Sequence, residues 1–569
     1  MTPTGAVRFL SFTLNRRHTI LPRYGPVAVT AAVLCLAFCN PVFAQLLPRD
    51  TGWLPQIGTP SVLPDTGTVA APDVLRKEID RLDAAPEKKE APEQGWSFAP
   101  QISINQEWTD HILGTNKSSF VTAIQPGFLA TGDISNFHSV VSYLPVGELF
   151  TQNGDENRLG HNFNADATAA LIPEHLFLDL RGFGTVQSAI PGTGPSNTII
   201  LSKSNEIQTQ SYSARPYLLE HFGDWVTIEA GGIVSYVAQN TLSTTGLQPD
   251  SIAAINQHAT LGREYVSVAS GPNLARISIK GLASAMQASG TGVLDGAYRR
   301  EGDVELGYAI TRSITALAGA GGEDIHYGGF PNYNFSGPQW DVGVRLVPNA
   351  DSSITIRYGR KDGATSPRID GVFAPSNRTR IYLRYSEGVT TDQELLQDAL
   401  NASVLDPLGN PVDPRTGSPL LLVNNFYGVQ TNLSLTKRGS ITGTLLLDHD
   451  TISLSVGLEK NHQLSAPTPA TAGFQDTTSV YGSINWVHEF VQRFTSSVYF
   501  QYGATNQVAF SPGVRGPTEN PLIFSVGLNY PITTKLSTQL QYSYSRQPPT
   551  QAVPQDPSNL VIIGLKKTF

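Results

Sequence analysis

From Trp96 to Phe569 the chain keeps one texture, alternation of apolar with small or polar residues at a period of two. Ile102, Ile104 and Trp108 alternate with Ser103, Asn105 and Glu107; Trp340, Val342, Val344 and Leu346 with Asp341, Gly343 and Arg345; Leu540, Tyr542 and Tyr544 with Gln539, Gln541 and Ser543. Period two places successive side chains on opposite faces of a strand. Such a chain folds as sheet with one greasy and one polar face, and two architectures accept it. A soluble sandwich turns the greasy face inward, and a membrane barrel turns it outward to lipid.

Connection lengths separate the two. Short turns at Thr131-Gly132-Asp133, Pro348-Asn349-Ala350, Asp448-His449-Asp450 and Thr533-Thr534-Lys535 alternate with longer segments near 150–160, 188–206, 238–259, 328–337, 462–475 and 505–519. Barrels of the outer membrane have short periplasmic turns and long external loops. Charged residues make up 15 % of the chain, against roughly 25 % in soluble domains. Mean hydropathy is nevertheless -0.13, and after the N-terminal leader no apolar run is long enough for a membrane helix. The expected fold is all-β, a transmembrane antiparallel up-and-down barrel over 96–569 with about 22 strands (range 16–22) of about 9–11 residues each. Trp96, Tyr308, Trp340, Trp486, Phe490, Tyr530 and Phe569 are expected near strand ends on the apolar face, as an interfacial girdle.

The N-terminus fits export. Arg16, Arg17 and Arg23 precede an apolar run over Val27–Phe38, and Val42-Phe43-Ala44 offers small residues for cleavage before Gln45. Residues 1–44 are therefore read as a signal peptide. Both cysteines, Cys35 and Cys39, lie in it, so the exported part has no disulfide and relies on sheet closure and lipid burial. Residues 45–95 read as a periplasmic extension, a Pro-rich linker followed by a short helix with Leu75, Ile79 and Leu82 on one side. The segment 73–93 is a possible contact for a periplasmic partner. The 51 residues from Gln45 to Gly95 are too few for the plug domain of a TonB-dependent receptor.

The last strand carries an assembly signal: Phe569, with Leu565 and Ile563 on its face and Gly564 on the other, and Lys567 where an aromatic is usual. The expected partners are outer-membrane lipid and the barrel-assembly machinery. The strand is expected to pair with the first strand. One connection stands apart: between Gly388 and Ile441 lie TTDQELLQDALNAS and PLGNPVDPRTGSP. A helix is expected over Asp392–Ala402, and two placements are open, folded into the pore or standing outside as a flap.

No enzyme constellation is present. His326, His449 and His488 are scattered, Glu323, Asp324 and His326 alternate between faces of one strand, and there is neither HExxH nor a phosphate loop. No cofactor or metal is expected. A net charge of -8 without a basic aromatic patch argues against nucleic acid. The inward face offers Thr355, Arg357 and Lys361 on one strand and Arg380, Tyr382 and Arg384 on the next, opposite Glu301, Asp303 and Glu305. Facing rows of acid and base either set a transverse field that sorts solutes or brace the wall as pairs. Arg357, Arg380, Arg384, Lys361, Glu301, Asp303 and Glu305 are the candidate pore-lining residues.

Gly321–Tyr327 (GGEDIHY), Trp340 and Gly343, Ile354–Gly363 (ITIRYGRKDG), Arg380–Leu396 (RIYLRYSEGVTTDQELL) and the following DPLGNPVDPRTG resemble the β-barrel porin type 2 family. They are also similar to outer-membrane proteins found beside exosortase and exopolysaccharide loci. The resemblance covers 96–569, is strongest over 320–420, and brings no functional residues with it. It implies an outer-membrane barrel acting as a passive pore or in polysaccharide traffic. The function expected is therefore a porin-like channel for passive diffusion of small polar solutes. Its alternatives are an exopolysaccharide-export component and a structural or adhesive barrel without conductance. Deleting Phe569, or making it charged, is expected to leave unassembled chain in the periplasm, and normal outer-membrane yield of such a variant would remove the targeting role.

Overall fold

A computed structural model describes residues 95–569, except 113–116, 190–191, 196, 245–254, 407–408, 413–421, 428, 430, 472–475, 491–493, 507–517 and 547–556. The expected signal peptide, linker and helix of residues 1–94 lie outside the described residues. The rest is a closed antiparallel barrel of 22 wall strands. Strands β1 (Gly95–Ile112), β2 (Lys117–Ile134) and β3 (Phe137–Tyr143) begin it, followed by β4 (Phe163–Ile172), β5 (Leu176–Ser188), β6 (Glu206–Phe222) and β7 (Val226–Thr241). The wall continues with β8 (Gln257–Ser270), β9 (Ile277–Gly290), β10 (Tyr298–Ala309), β11 (Ile314–Tyr327) and β12 (Tyr333–Leu346). Next come β13 (Ser353–Lys361), β14 (Ala364–Ser376), β15 (Thr379–Thr390) and β16 (Leu433–Leu446). It ends with β17 (Asp450–Ser465), β18 (Thr477–Glu489), β19 (Thr495–Asn506), β20 (Leu522–Thr533), β21 (Leu536–Arg546) and β22 (Ser558–Thr568). Short strands at Val146–Phe150 and Thr518–Glu519 pair with the wall strands β2 and β19, and Arg158–Gly160 pairs with Val146–Phe150.

Every wall strand pairs with its neighbour in sequence, and β22 closes on β1 from Gln101↔Thr568 to Thr109↔Leu560. Closure is the physical requirement in lipid, because an edge strand would leave a row of N–H and C=O groups without water. The C-terminal strand thus supplies the last ladder. Ile563 and Leu565 point outward, 58 % and 51 % exposed, while Gly564 faces Asn105 and Gln539 inside. Lys567 also faces outward, with its ammonium 4.8 Å from the centre of the Phe569 ring.

Alternation places the apolar face outside. Val234, Val304, Val342, Leu454 and Leu540 are exposed on the outer wall, and Ser, Thr, Gln and charged residues line the inside. On β10, Tyr298 and Tyr308 bracket the outward stretch. Ten residues at about 3.3 Å and a tilt near 45° rise about 23 Å, close to the roughly 25 Å of an outer-membrane apolar band. The barrel is therefore an outer-membrane barrel. Turns at one rim run from two residues, as at 377–378, to six, as at 347–352, while the opposite rim carries 144–162, 189–205 and 391–432.

Some positions differ from expectation. Thr131-Gly132-Asp133 continue β2, and the turn is Ser135-Asn136, because Ile134 can still pair with Phe137. The connection expected over 328–337 is only 328–332, since Tyr333–Gly337 join β12. Trp340 lies in one row with Ala320 and Val304, within the apolar belt rather than at its edge. The other aromatics do mark the short-turn rim, where Phe490 stacks on Phe494 at 5.0 Å. At the Asp448-His449-Asp450 turn, Asp450 Oδ1 lies 2.7 Å from both Trp486 Nε1 and His488 Nδ1, fixing two interfacial rings. Val304→Arg, near mid-belt, is expected to cost about 2–4 kcal/mol in the unfolding of the reconstituted barrel, whereas Val304→Leu should be close to neutral.

Candidate functional site

The lumen is the candidate site, and its inner wall has two levels. Towards the long-loop rim, helix α1 (Asp392–Ala402) lies inside the barrel, which settles the two placements left open by sequence in favour of the pore. Thr391 caps it: its side chain accepts from the Glu394 N–H while Glu394 Oε2 accepts from the Thr391 N–H at 3.1 Å, a reciprocal capping box. Gln393, Gln397 and Asn401 repeat at i, i+4 and i+8, so they share one helix face. They donate to or accept from Gln239, Ser211 and Ser213, inward residues of β7 and β6, at 2.8, 2.6 and 2.6 Å. Asp398 pairs with Arg263 of β8 at 3.0 Å. Burial pushes the Asp398 carboxyl up to about 6, against the pull of Arg263.

Leu396, Ala399 and Leu400 of the helix pack with Val237, Leu261, Met286 and Ile325. An apolar patch on the inner wall of a barrel has no use facing water, and this one forms the seat of α1. The residue after the helix, Ser403, is held by Arg181 of β5, whose Nε donates to its carbonyl at 3.3 Å and whose Nη1 pairs with Asp166 at 2.7 Å. Segment 189–205 also turns inward: Ile200 packs with Ile112, Val121, Leu560 and Ile562, and Gln541 donates to the Asn197 carbonyl at 2.7 Å. The two inward segments meet. The Gly192 N–H donates to the Phe426 carbonyl at 2.7 Å, and Asn425 Nδ2 donates to the Gly194 carbonyl at 3.2 Å. Phe426 in turn lies over Gly503 of β19, where a Cβ would stand 2.4 Å from its ring.

Below this level are the residues proposed from sequence to line the pore. Arg357 of β13 pairs with Glu305 of β10, and Lys361 pairs with Glu301 at 3.2 Å. Both contacts cross two intervening strands. They are possible because Gly319 and Gly321 of β11 and Gly343 of β12 carry no side chain there; a Cβ on Gly343 would lie 2.8 Å from Arg357 Cγ, and one on Gly321 2.8 Å from Asp303 Cβ. Asp303 is half-buried between Glu301 and Glu305 on the same inward face. Arg384 pairs with Asp370 of the neighbouring strand at 3.1 Å, and Arg368 with Asp341 at 3.0 Å. Arg380 shares the face of Arg384 on β15. The structure thus brings Arg357 to Glu305 and Lys361 to Glu301, and pairs Arg384 with Asp370, which stands in one row with Thr355 of β13.

Sequence reasoning did not single out Arg299, Asp362 or Arg263. Two local signals were legible, one at Asp362 and one at the cap of α1. Asp362-Gly363 between alternating runs is the two-residue hairpin dipeptide, with φ of 55° and 74° in the structure. Thr391-x-x-Glu394 is a capping-box spacing. Among the described residues no group of three or more His, Cys, Asp and Glu has the geometry to hold a metal.

No protein-family model matches the chain, and no curated protein matches it. Solved structures similar to it include the FrpB iron transporter from Neisseria meningitidis, at 10 % identity and a TM-score of 0.47, covering 88 % of this chain and 83 % of that one. The copper transporter OprC is similar at 9 % identity and a TM-score of 0.43, covering 85 % and 82 %. The ferripyoverdine receptor of Pseudomonas aeruginosa is similar at 12 % identity and 0.43, covering 84 % and 72 %. Removing the cap of α1 by Thr391→Ala is expected to cost about 1 kcal/mol, read as a roughly fivefold faster amide exchange across Asp392–Ala402, with strands β6 and β7 unchanged.

Proposed function

We propose that this barrel is a constricted outer-membrane channel through which small polar solutes diffuse. The observation that carries the reading is the pairing of an outward apolar belt with an inner wall of charged side chains, Arg357, Arg368 and Arg384 among them, below a helix seated in the lumen. A wall of this kind is wetted and presents a field to a passing ion, and α1 takes up part of the bore. A second reading, a barrel that does not conduct, is favoured by the hydrogen bonds that join Gly192 and Gly194 to Phe426 and Asn425 inside the barrel. Single-channel recording in planar bilayers distinguishes them: stepwise conductance is expected, and its complete absence in folded protein would leave the non-conducting reading.

Charge selectivity gives a finer test. Removing Arg357, Arg380 and Arg384 together by Ala leaves Glu305 and Asp370 without the guanidinium groups that face them. The reversal potential is expected to move towards cations in 0.1 M salt, where the Debye length is about 10 Å, and to move less at 1 M, where it is about 3 Å. An unchanged reversal potential at low salt would take these residues out of the conduction path.

A further inference from the structure

The wall is not uniformly laddered. The β13–β14 ladder continues to Lys361↔Ala364 and the β15–β16 ladder to Thr390↔Ser434, but the ladder between β14 and β15 ends at Ile369↔Tyr385. Residues 364–368 and 386–390 therefore flank a seam on the long-loop side. Pro367, which has no N–H to give, stands on its β14 side, the place for proline in a sheet.

At the head of the seam two side chains replace the absent strand partner. Val389 donates its N–H to Asp362 Oδ2 at 3.0 Å, and its carbonyl accepts from Arg299 Nη2 at 2.6 Å. Arg299 Nη1 donates to Asp362 Oδ1 at 2.6 Å, so one buried ion pair grips both polar groups of a single peptide position. Asp362 sits at the tip of the β13–β14 turn, and its carboxylate lies against Gly388, where a Cβ would stand 2.7 Å from Oδ2. The grip passes directly to α1: Arg299 Nη2 lies 3.3 Å from the Tyr327 hydroxyl, which donates to Glu394 Oε1 at 2.7 Å. Glu394 is the residue that closes the helix cap.

Beyond that point much of the contact of α1 with the wall is through Gln393, Gln397, Asp398 and Asn401. Water can replace the amide hydrogen bonds of Gln393, Gln397 and Asn401 when the helix leaves, so their net contribution is small, while the Asp398–Arg263 pair and the apolar seat of Leu396, Ala399 and Leu400 hold the body of the helix. The grip on Val389 is different, because it fixes the direction in which the chain leaves β15. We propose that the Arg299–Asp362 pair is a clamp that holds α1 inside the lumen, and that the β14–β15 seam is the place where the helix is released. This deepens the channel reading by giving its constriction a control point.

The test places a thiol on the seated face of the helix in the full chain. Ala399 is 2 % exposed, and Ala399→Cys changes its volume little. In outer-membrane vesicles, a membrane-impermeant maleimide should label this Cys slowly. Adding Arg299→Gln or Asp362→Asn, the latter keeping a residue that tolerates the positive φ of the turn, is expected to speed labelling about tenfold or more, as for the loss of a charged buried hydrogen bond. Arg357→Gln, which breaks an ion pair elsewhere on the same wall, should leave the rate within about twofold. Heat-modifiable gel mobility confirms that each variant retains a folded barrel, and either clamp variant suffices if the other fails to assemble. Unchanged labelling in the folded clamp variants, or an equal rise with Arg357→Gln, would overturn the clamp. Absence of current in every variant would speak against the channel and leave the labelling result standing.

Discussion

Satisfaction of backbone hydrogen bonds without water is the constraint on which the rest of this structure depends. In the apolar layer an unpaired N–H or C=O costs several kcal/mol, so the sheet must close, and the ladder from Gln101↔Thr568 to Thr109↔Leu560 completes it. The side-chain pattern follows from that closure. Once the ring is shut, period two sends Val304, Val342 and Ile563 to lipid and Glu305, Asp341 and Gly564 inward.

The same requirement explains the clamp. Where the β14–β15 ladder stops, the peptide of Val389 keeps both its hydrogen bonds, one to a carboxylate and one from a guanidinium. A sheet that loses a partner strand locally needs such substitutes, and charged groups make stronger ones than neutral groups do. The cost is that Arg299 and Asp362 must both be buried, which they tolerate because each neutralises the other.

Inside the ring, two materials divide the lumen. The seat of α1 is apolar, with Leu261, Met286 and Ile325 packed against Leu396 and Leu400. Below it, glycine positions on β11 and β12 let Arg357 and Lys361 lie along the wall and reach acids three strands away. The bore is thus narrowed by one helix and braced by long cationic side chains, and both depend on which neighbours carry no side chain.

Alternation from Trp96 to Phe569, the contrast of short and long connections and the absence of a long apolar run were enough to determine a closed barrel of about 22 strands, because period and connection length are local properties of the chain. The bounds of α1 were legible for the same reason: capping by Thr391 and Glu394 and the run Asp392–Ala402 are contained within a few residues. The side of the wall on which α1 lies was decided only by the tertiary structure. Its seat comes from β7, β8, β9 and β11, far away in sequence, and an inward Leu261 reads in isolation like any other strand residue. The pairing of Arg357 with Glu305 across two strands and the grip of Arg299 and Asp362 on Val389 were hidden likewise. Register and curvature bring those groups together, and a one-residue slip in any intervening ladder would have sent them to opposite faces.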